Sequence, residues 1–181
     1  MSEGFIDKIG KSQKNNKSKI LKHKINLKKY ICFNLNEREY GIEINNVREI
    51  IEYNYIRKII YTPDFLMGLI NLRGSIISVF DLKLFFGLGT TDTKSKDGRL
   101  MVLNVEDKTL CFAIDKISKI REIIPTDVQA APATFNEIPS KYIVGMYKTY
   151  ENNLLVLINF LEIVNSDKIK SLSKKGNDSE N

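Results

Sequence analysis

An arginine separates two apolar runs of the chain. Residues 68–87, GLINLRGSIISVFDLKLFFG, carry Arg73 between two runs of strand-forming side chains. An isolated buried guanidinium costs several kcal/mol, so Arg73 must reach water or find an anionic partner. Glu49, within Val47-Arg-Glu-Ile-Ile, is the other charged residue that stands out against an apolar background. Two readings of these residues stay open on sequence grounds. Glu49 is a solvent-facing strand residue and Arg73 a turn residue; or the two form a bidentate pair at a groove edge, flanked by Val47 and Ile50, the mixture of charge and apolar surface that an interaction site needs. Catalytic chemistry is poorly provided for. His23 is the single histidine and lies in a Lys- and Asn-rich leader, which argues against a histidine base, a phosphoacceptor histidine or a histidine metal site. No P-loop or dinucleotide fingerprint is present, and Gly68 and Gly74 lack the partners that would cradle a phosphate. None of the 22 acidic residues falls in a spacing that points to a site. The expectation is a binding module with no enzyme activity, no cofactor and no metal.

The elements that must position Glu49 and Arg73 read as short strands. Around Arg73 the order is strand, turn, strand and short helix: Gly74 supplies the turn, Asp81 caps the helix and Gly87 ends it. Upstream, Tyr30 to Leu35, a turn at 36–38 and Tyr40 to Ile44 form a hairpin, with Gly41 inside its second strand. A third strand runs through Val47 to Ile51 and a fourth through Ile56 to Ile60. Thr62-Pro63-Asp64 has the residues of a one-turn helix start. Residues 89–98 hold no large apolar side chain and are a linker. Beyond it the pattern returns. A shift of 70 lays Tyr40, Ile42, Ile44, Val47 and Ile50 on Leu110, Phe112, Ile114, Ile117 and Ile120. Gly145-Met-Tyr and Leu154 to Ile158 echo Gly68-Leu-Ile and Ile76 to Phe80. Each copy offers about five strands and a closing helical turn, which fits a small barrel. Pro125 to Lys141 reads as an irregular loop with a helical turn near Ser140, and a last helix from Asn159 to Val164 frays into a polar tail.

Composition sets outer limits. The formal net charge of +6 belongs to the ends: residues 1–28 hold about eight lysines against two acids, and the body is close to neutral. The leader is therefore taken as disordered, and nucleic acid binding, which requires a basic face with exposed aromatics, is not expected. Cys32 and Cys111 lie in apolar strands with no neighbouring ligand residue, as buried free thiols of a reducing compartment do. No segment is apolar enough to span a membrane, so a soluble cytoplasmic protein without membrane insertion is expected.

Several of these segments carry a resemblance. Tyr40-Gly-Ile-Glu-Ile-Asn-Asn-Val-Arg-Glu-Ile, Thr62-Pro-Asp-Phe-Leu-Met-Gly-Leu-Ile-Asn-Leu-Arg-Gly and Val79-Phe-Asp-Leu resemble the bacterial chemotaxis coupling protein CheW family, with weaker echoes at Tyr142 to Met146 and Leu157 to Asn159. The likeness spans about Lys29 to Asn165. It implies an all-β fold with short helices, in which two SH3-like five-stranded barrels pack around a shared hydrophobic core. The first barrel covers 29–88 and the second 99–165, with strand or helix exchange between lobes allowed, and residues 1–28 and 166–181 are tails. It also implies an adaptor that joins the regulatory domain of the histidine kinase CheA to the cytoplasmic tips of methyl-accepting chemoreceptors. By the same resemblance Val47, Glu49, Ile50, Gly68 and Arg73 belong to the receptor-binding groove, and Gly41, Gly74, Asp81 and Gly145 to the turns and the frame. Cys111, Ser78 and Asn159 depart from the family pattern, where Gly, Pro and Asp are usual. The alternatives are a paralogue serving another receptor cluster or a kinase pathway outside chemotaxis, and a small-ligand-binding β-barrel.

Overall fold

A computed structural model describes residues 26–53 and 55–175. Ten strands form two five-stranded sheets. The first half of the chain supplies β1 (Lys28–Leu35), β2 (Arg38–Glu43), β3 (Val47–Glu52), β4 (Leu66–Leu72), β5 (Ser75–Asp81) and the short helix α1 (Leu82–Phe86). The second half repeats the order with β6 (Arg99–Val105), β7 (Lys108–Ile114), β8 (Lys116–Ile123), β9 (Ile143–Lys148), β10 (Leu154–Ile158) and α2 (Phe160–Val164), followed by α3 (Asp167–Lys175).

The two halves exchange hairpins. The sheet orders are β8-β1-β2-β10-β9 and β3-β6-β7-β5-β4, so the hairpin β1–β2 shares a sheet with the last three strands of the second half, while β6–β7 shares one with the last three of the first. Each exchanged hairpin is joined by one parallel contact, β2 to β10 and β7 to β5. The exchange allowed for above is thus present, and the bounds 29–88 and 99–165 mark the two repeats, while each barrel contains strands of both halves. The barrels share a common interior. Successive side chains of a strand point to opposite faces, and both faces of the exchanged hairpins are covered. Ile31, Phe33 and Leu35 of β1, with Met101, Leu103, Phe112 and Ile114 of β6 and β7, enter the large core between the barrels. The alternate residues Tyr30 and Cys32 turn into one barrel, and Leu100, Val102, Cys111 and Ala113 into the other. Both cysteines are fully buried and free, and burial pushes each thiol up to about 12.

Each barrel is closed by a close backbone approach. The chain leaving β3 crosses over and touches β4 at one bridge, where the Arg57 and Leu69 backbones exchange hydrogen bonds of 2.8 and 2.9 Å. In the second half Gln129 and Met146 do the same at 2.9 and 2.8 Å. A side chain at Gly68 would put its Cβ 2.2 Å from the Arg57 carbonyl oxygen, and one at Gly145 would lie 2.8 Å from that of Gln129. Both glycines are therefore demanded by the closure. The expected helix signals at Asp81 and Gly87 hold. The Asp81 carboxylate accepts from the amides of Lys83 and Leu84 at 2.9 and 3.1 Å and from Thr91 of the linker, and Gly87 is left-handed at φ 78°.

Three other expectations are corrected. Residues 56–60 do not form a strand. Only Arg57 pairs there, because the crossover meets β4 at one point, and Ile59 and Ile60 stay exposed. Thr62-Pro63 opens a turn and not a helix: the Thr62 hydroxyl donates back to the Ile59 carbonyl, and the Leu66 amide donates to the Pro63 carbonyl at 2.9 Å. The chain does not fray after Val164. Helix α3 follows, with Ile169 buried in the shared core and Leu172 packed against it, while the Lys168 ammonium lies over the Phe85 ring at 4.9 Å and donates to the Phe85 carbonyl. Of the expected N-terminal tail, residues 1–25 lie outside the described residues, and Lys28 already belongs to β1 and pairs with Glu43 at 2.9 Å.

Candidate functional site

Glu49 and Arg73 meet. They lie on β3 and on the β4–β5 turn, at opposite ends of the second sheet's strand order, and come together because that sheet curls towards closure. Arg73 Nη2 donates to Glu49 Oε2 at 3.0 Å. The pair of the second reading therefore forms, but through a single hydrogen bond and not a bidentate one. The other carboxylate oxygen, Oε1, lies 3.5 Å from Arg48 Nε. The carboxylate side chain keeps 18% of its surface exposed, whereas Arg48 keeps 36% and Arg73 75%.

Local backbone geometry explains this cluster. Val47 pairs with Leu103 and Glu49 with Val102, so β3 spends two steps where β6 spends one and Arg48 is the extra residue. Such a bulge brings successive side chains towards one side of the strand, which lets Arg48 reach Glu49. Arg73 and Gly74 are both left-handed, at φ 53° and 88°, the backbone of a tight two-residue hairpin turn. The Asn71 side chain helps by accepting from the Gly74 amide at 2.9 Å. A non-glycine residue costs roughly 1–2 kcal/mol in that conformation, and Asn or Gly would suit it better. The turn therefore carries strain at the residue that projects the guanidinium. Val47 and Ile50 are half-buried against the shared core, and the exposed apolar side chain beside the turn is Ile76, at 66%. Gly68 has a closing role in the barrel, as described above.

The duplication builds the same place in the second barrel with its charges reversed. The shift of 70 takes Glu49 to Lys119 and Arg48 to Ser118, and Ser118 is again the extra residue of a bulge, between the pairs Cys32–Lys119 and Phe33–Ile117. Lys119 donates to Glu151, on the β9–β10 turn, at 3.1 Å. Arg121 bridges Glu151 at 3.0 Å and Glu39 at 3.2 Å, which ties the exchanged β1–β2 hairpin to β8. Hydrogen bonds from Lys119 and then Arg121 hold the Glu151 carboxyl down at about 2. An open cavity of about 1130 Å³ at this end is lined by Arg38, Lys119 and Arg121 and by Glu39, Glu137 and Glu151, so the signs balance there.

Sequence reasoning found Glu49 and Arg73 but missed Arg48, Ile76 and the Lys119–Glu151 counterpart. The offset of 70 held the signal for Lys119, since it lays that residue on Glu49, with the charge reversed. Among the described residues no cluster of His, Cys, Asp or Glu could hold a metal ion, and no helix is long and apolar enough to cross a membrane. The arrangement offers charged and apolar recognition.

Comparison with known proteins gives the family. The family model of the CheW-like domain matches residues 29–168. The chain is 35% identical over 130 residues to the chemotaxis protein CheW of Treponema pallidum, covering 70% of this chain and 76% of that one. With the chemotaxis protein CheW of Klebsiella aerogenes the identity is 27% over 140 residues, 77% and 83% of the two chains. Among solved structures, the scaffolding protein TtCheW of Thermoanaerobacter tengcongensis superposes with a TM-score of 0.72 at 31% identity, covering 81% of this chain and 94% of that protein.

Proposed function

Because the chain belongs to the CheW-like domain family, we propose that it is an adaptor of chemotaxis signalling arrays, one that holds the histidine kinase CheA and the cytoplasmic tips of chemoreceptors in one complex and catalyses nothing itself. The observation that carries the reading is the Glu49–Arg73 clasp on the first-half barrel. An arginine is held in a strained left-handed turn, 75% exposed and anchored by a less exposed carboxylate. That is an arrangement for presenting a guanidinium to a partner, since an exposed pair adds little to stability. The receptor tip engages this face. The kinase regulatory domain, which the resemblance gives the same fold, engages another part of the molecule, and the chain reaches the membrane through these partners.

The test is capture of the full chain from its native cell, scored for the kinase and a chemoreceptor in the same eluate. Both are expected with the wild-type chain, and the receptor alone should be depleted with Arg73→Ala. Capture of a kinase without any chemoreceptor would point to a different pathway. Capture of neither would end the adaptor reading.

A further inference from the structure

We propose that Arg48 and Arg73 together form the cradle for a carboxylate, so that the segment recognised by this face carries an acidic residue next to an aliphatic one, the aliphatic side chain lying on Ile76. The inference rests on the adaptor reading and names the partner chemistry of that same face. Two guanidinium groups surround one carboxylate, leaving an excess positive charge, and the anion is the least exposed of the three at 18% against 36% and 75%. What a partner meets is therefore cationic. A guanidinium has five N–H donors in a fixed fork. Arg73 uses one of its groups on Glu49 and Arg48 lies near the other oxygen, and among the described residues neither has a further ion pair or hydrogen bond. Glu49 acts as the anchor that orients both forks, and the bulge at Arg48 is what allows two neighbours on one strand to serve it together. Ile76 follows the turn by two residues and is 66% exposed, which suits a protein segment with an apolar side chain beside its charge.

The duplicated barrel supplies the discrimination. Its backbone offers the same bulge, but the longer loop between β9 and β10 carries Glu151, 52% exposed, where the two-residue turn of the first carries Arg73, and Ser118 stands where the first has Arg48. Lys119 and Arg121 are matched there by Glu151 and Glu39, so an acidic segment finds no net attraction, and charge favours the first face over the second.

The experiment measures binding of a purified chemoreceptor tip fragment to the full chain at several salt concentrations. Arg48→Glu is expected to weaken binding about tenfold or more, and Arg48→Gln less, with unchanged circular dichroism and melting; both should flatten the salt dependence. Replacing each Asp or Glu of the tip by Asn or Gln in turn should reveal one carboxylate whose loss weakens binding to the wild-type chain but not further to the Arg48 variants. Glu151→Arg with Ser118→Arg should create a second, weaker site for the fragment. Tip binding that is unaffected by Arg48→Glu overturns the cradle while the adaptor reading stands. Failure of the wild-type chain to bind the tip at all overturns both.

Discussion

Replacing Arg73 separates the stability of the fold from its use. The structure gives two opposing terms. Loss of the ion pair removes about 0.2–1 kcal/mol, the value for pairs as open to solvent as this one, where the guanidinium is 75% exposed. Relief of the left-handed backbone returns about 1 kcal/mol when the new residue is glycine, partly offset by the greater freedom of glycine in the unfolded chain. Arg73→Gly should therefore melt within about 2–4 °C of the wild type, which is roughly 1 kcal/mol for a domain of this size. Arg73→Ala keeps the strain and loses the pair, so it should be the less stable of the two. In a double-mutant cycle Arg73→Ala and Glu49→Ala should couple by a few tenths of a kcal/mol up to about 1 kcal/mol. The functional losses should be far larger than these figures suggest, with receptor-dependent kinase activation falling in both single variants while circular dichroism and melting stay near wild type. A drop of more than about 3 kcal/mol in Arg73→Gly would mean the pair is a buried structural contact. Strictly additive stability losses would show that the two side chains do not interact, and wild-type kinase activation in both variants would remove this face from the function.

The remaining predictions concern the frame. Gly68→Ala and Gly145→Ala should each prevent or severely weaken folding, because the new Cβ would sit 2.2 and 2.8 Å from a backbone carbonyl oxygen that cannot move without opening a barrel; near-normal melting of either variant would refute the closure argument. By NMR titration the Glu151 carboxyl should stay ionised down to about pH 2, and its folded value lies below the unfolded one, so the stabilisation is present above about pH 4.5 and is lost as pH falls towards 2. In the Lys119→Ala variant the Glu151 midpoint should rise, and an unchanged midpoint would exclude the Lys119 hydrogen bond as its cause. Cys32 and Cys111, buried and pushed up to about 12, should be inert to a thiol reagent at pH 8 in the folded protein and react together on unfolding. Truncation after Ser166 removes buried Ile169 and the packed Leu172 and should cost about 2–5 kcal/mol; unchanged melting would show that α3 is not docked.

Much of this architecture was legible in the chain, and the rest was hidden for identifiable reasons. The offset of 70 announced the duplication because each half repeats an order of five strands closed by a capped helix. The exchange of hairpins left no such mark. Alternation of apolar and polar residues reveals which face of a strand is buried, but β1, β6 and β7 are covered on both faces and read as continuous apolar runs, which say nothing about the neighbour. Ile56 to Ile60 has the composition of a strand, yet composition cannot show that a crossover meets its neighbour at one residue. Helix α3 was masked by its lysines, although Ile169 and Leu172 stand at the spacing of one helical face. Glu49 and Arg73 stood out as charges among apolar residues. Arg48 did not, because its role depends on a bulge that only pairing with β6 creates.

The hairpin exchange also bears on how an adaptor can work. Were each half a barrel of its own, the two would meet across an ordinary interface and could turn relative to each other. Here neither half has a complete sheet without the other: β1–β2 lies between β8 and β10, and β6–β7 between β3 and β5. Turning one barrel against the other would strain the chain connections of both exchanged hairpins and open the core that Phe33, Phe112 and Phe160 fill jointly, with ring centroids 5.3 Å apart for Phe112 and Phe160 and 6.4 Å for Phe33 and Phe160. The ionic bridge from Arg121 to Glu39 adds a further tie between one half's hairpin and the other half's strand. The cationic face at Arg48 and Arg73 and the balanced one at Lys119 and Glu151 are thus held at a fixed spacing and angle by the same contacts that keep the protein folded. A scaffold needs that coupling, since two partners bound to faces that could swivel would not be held in register.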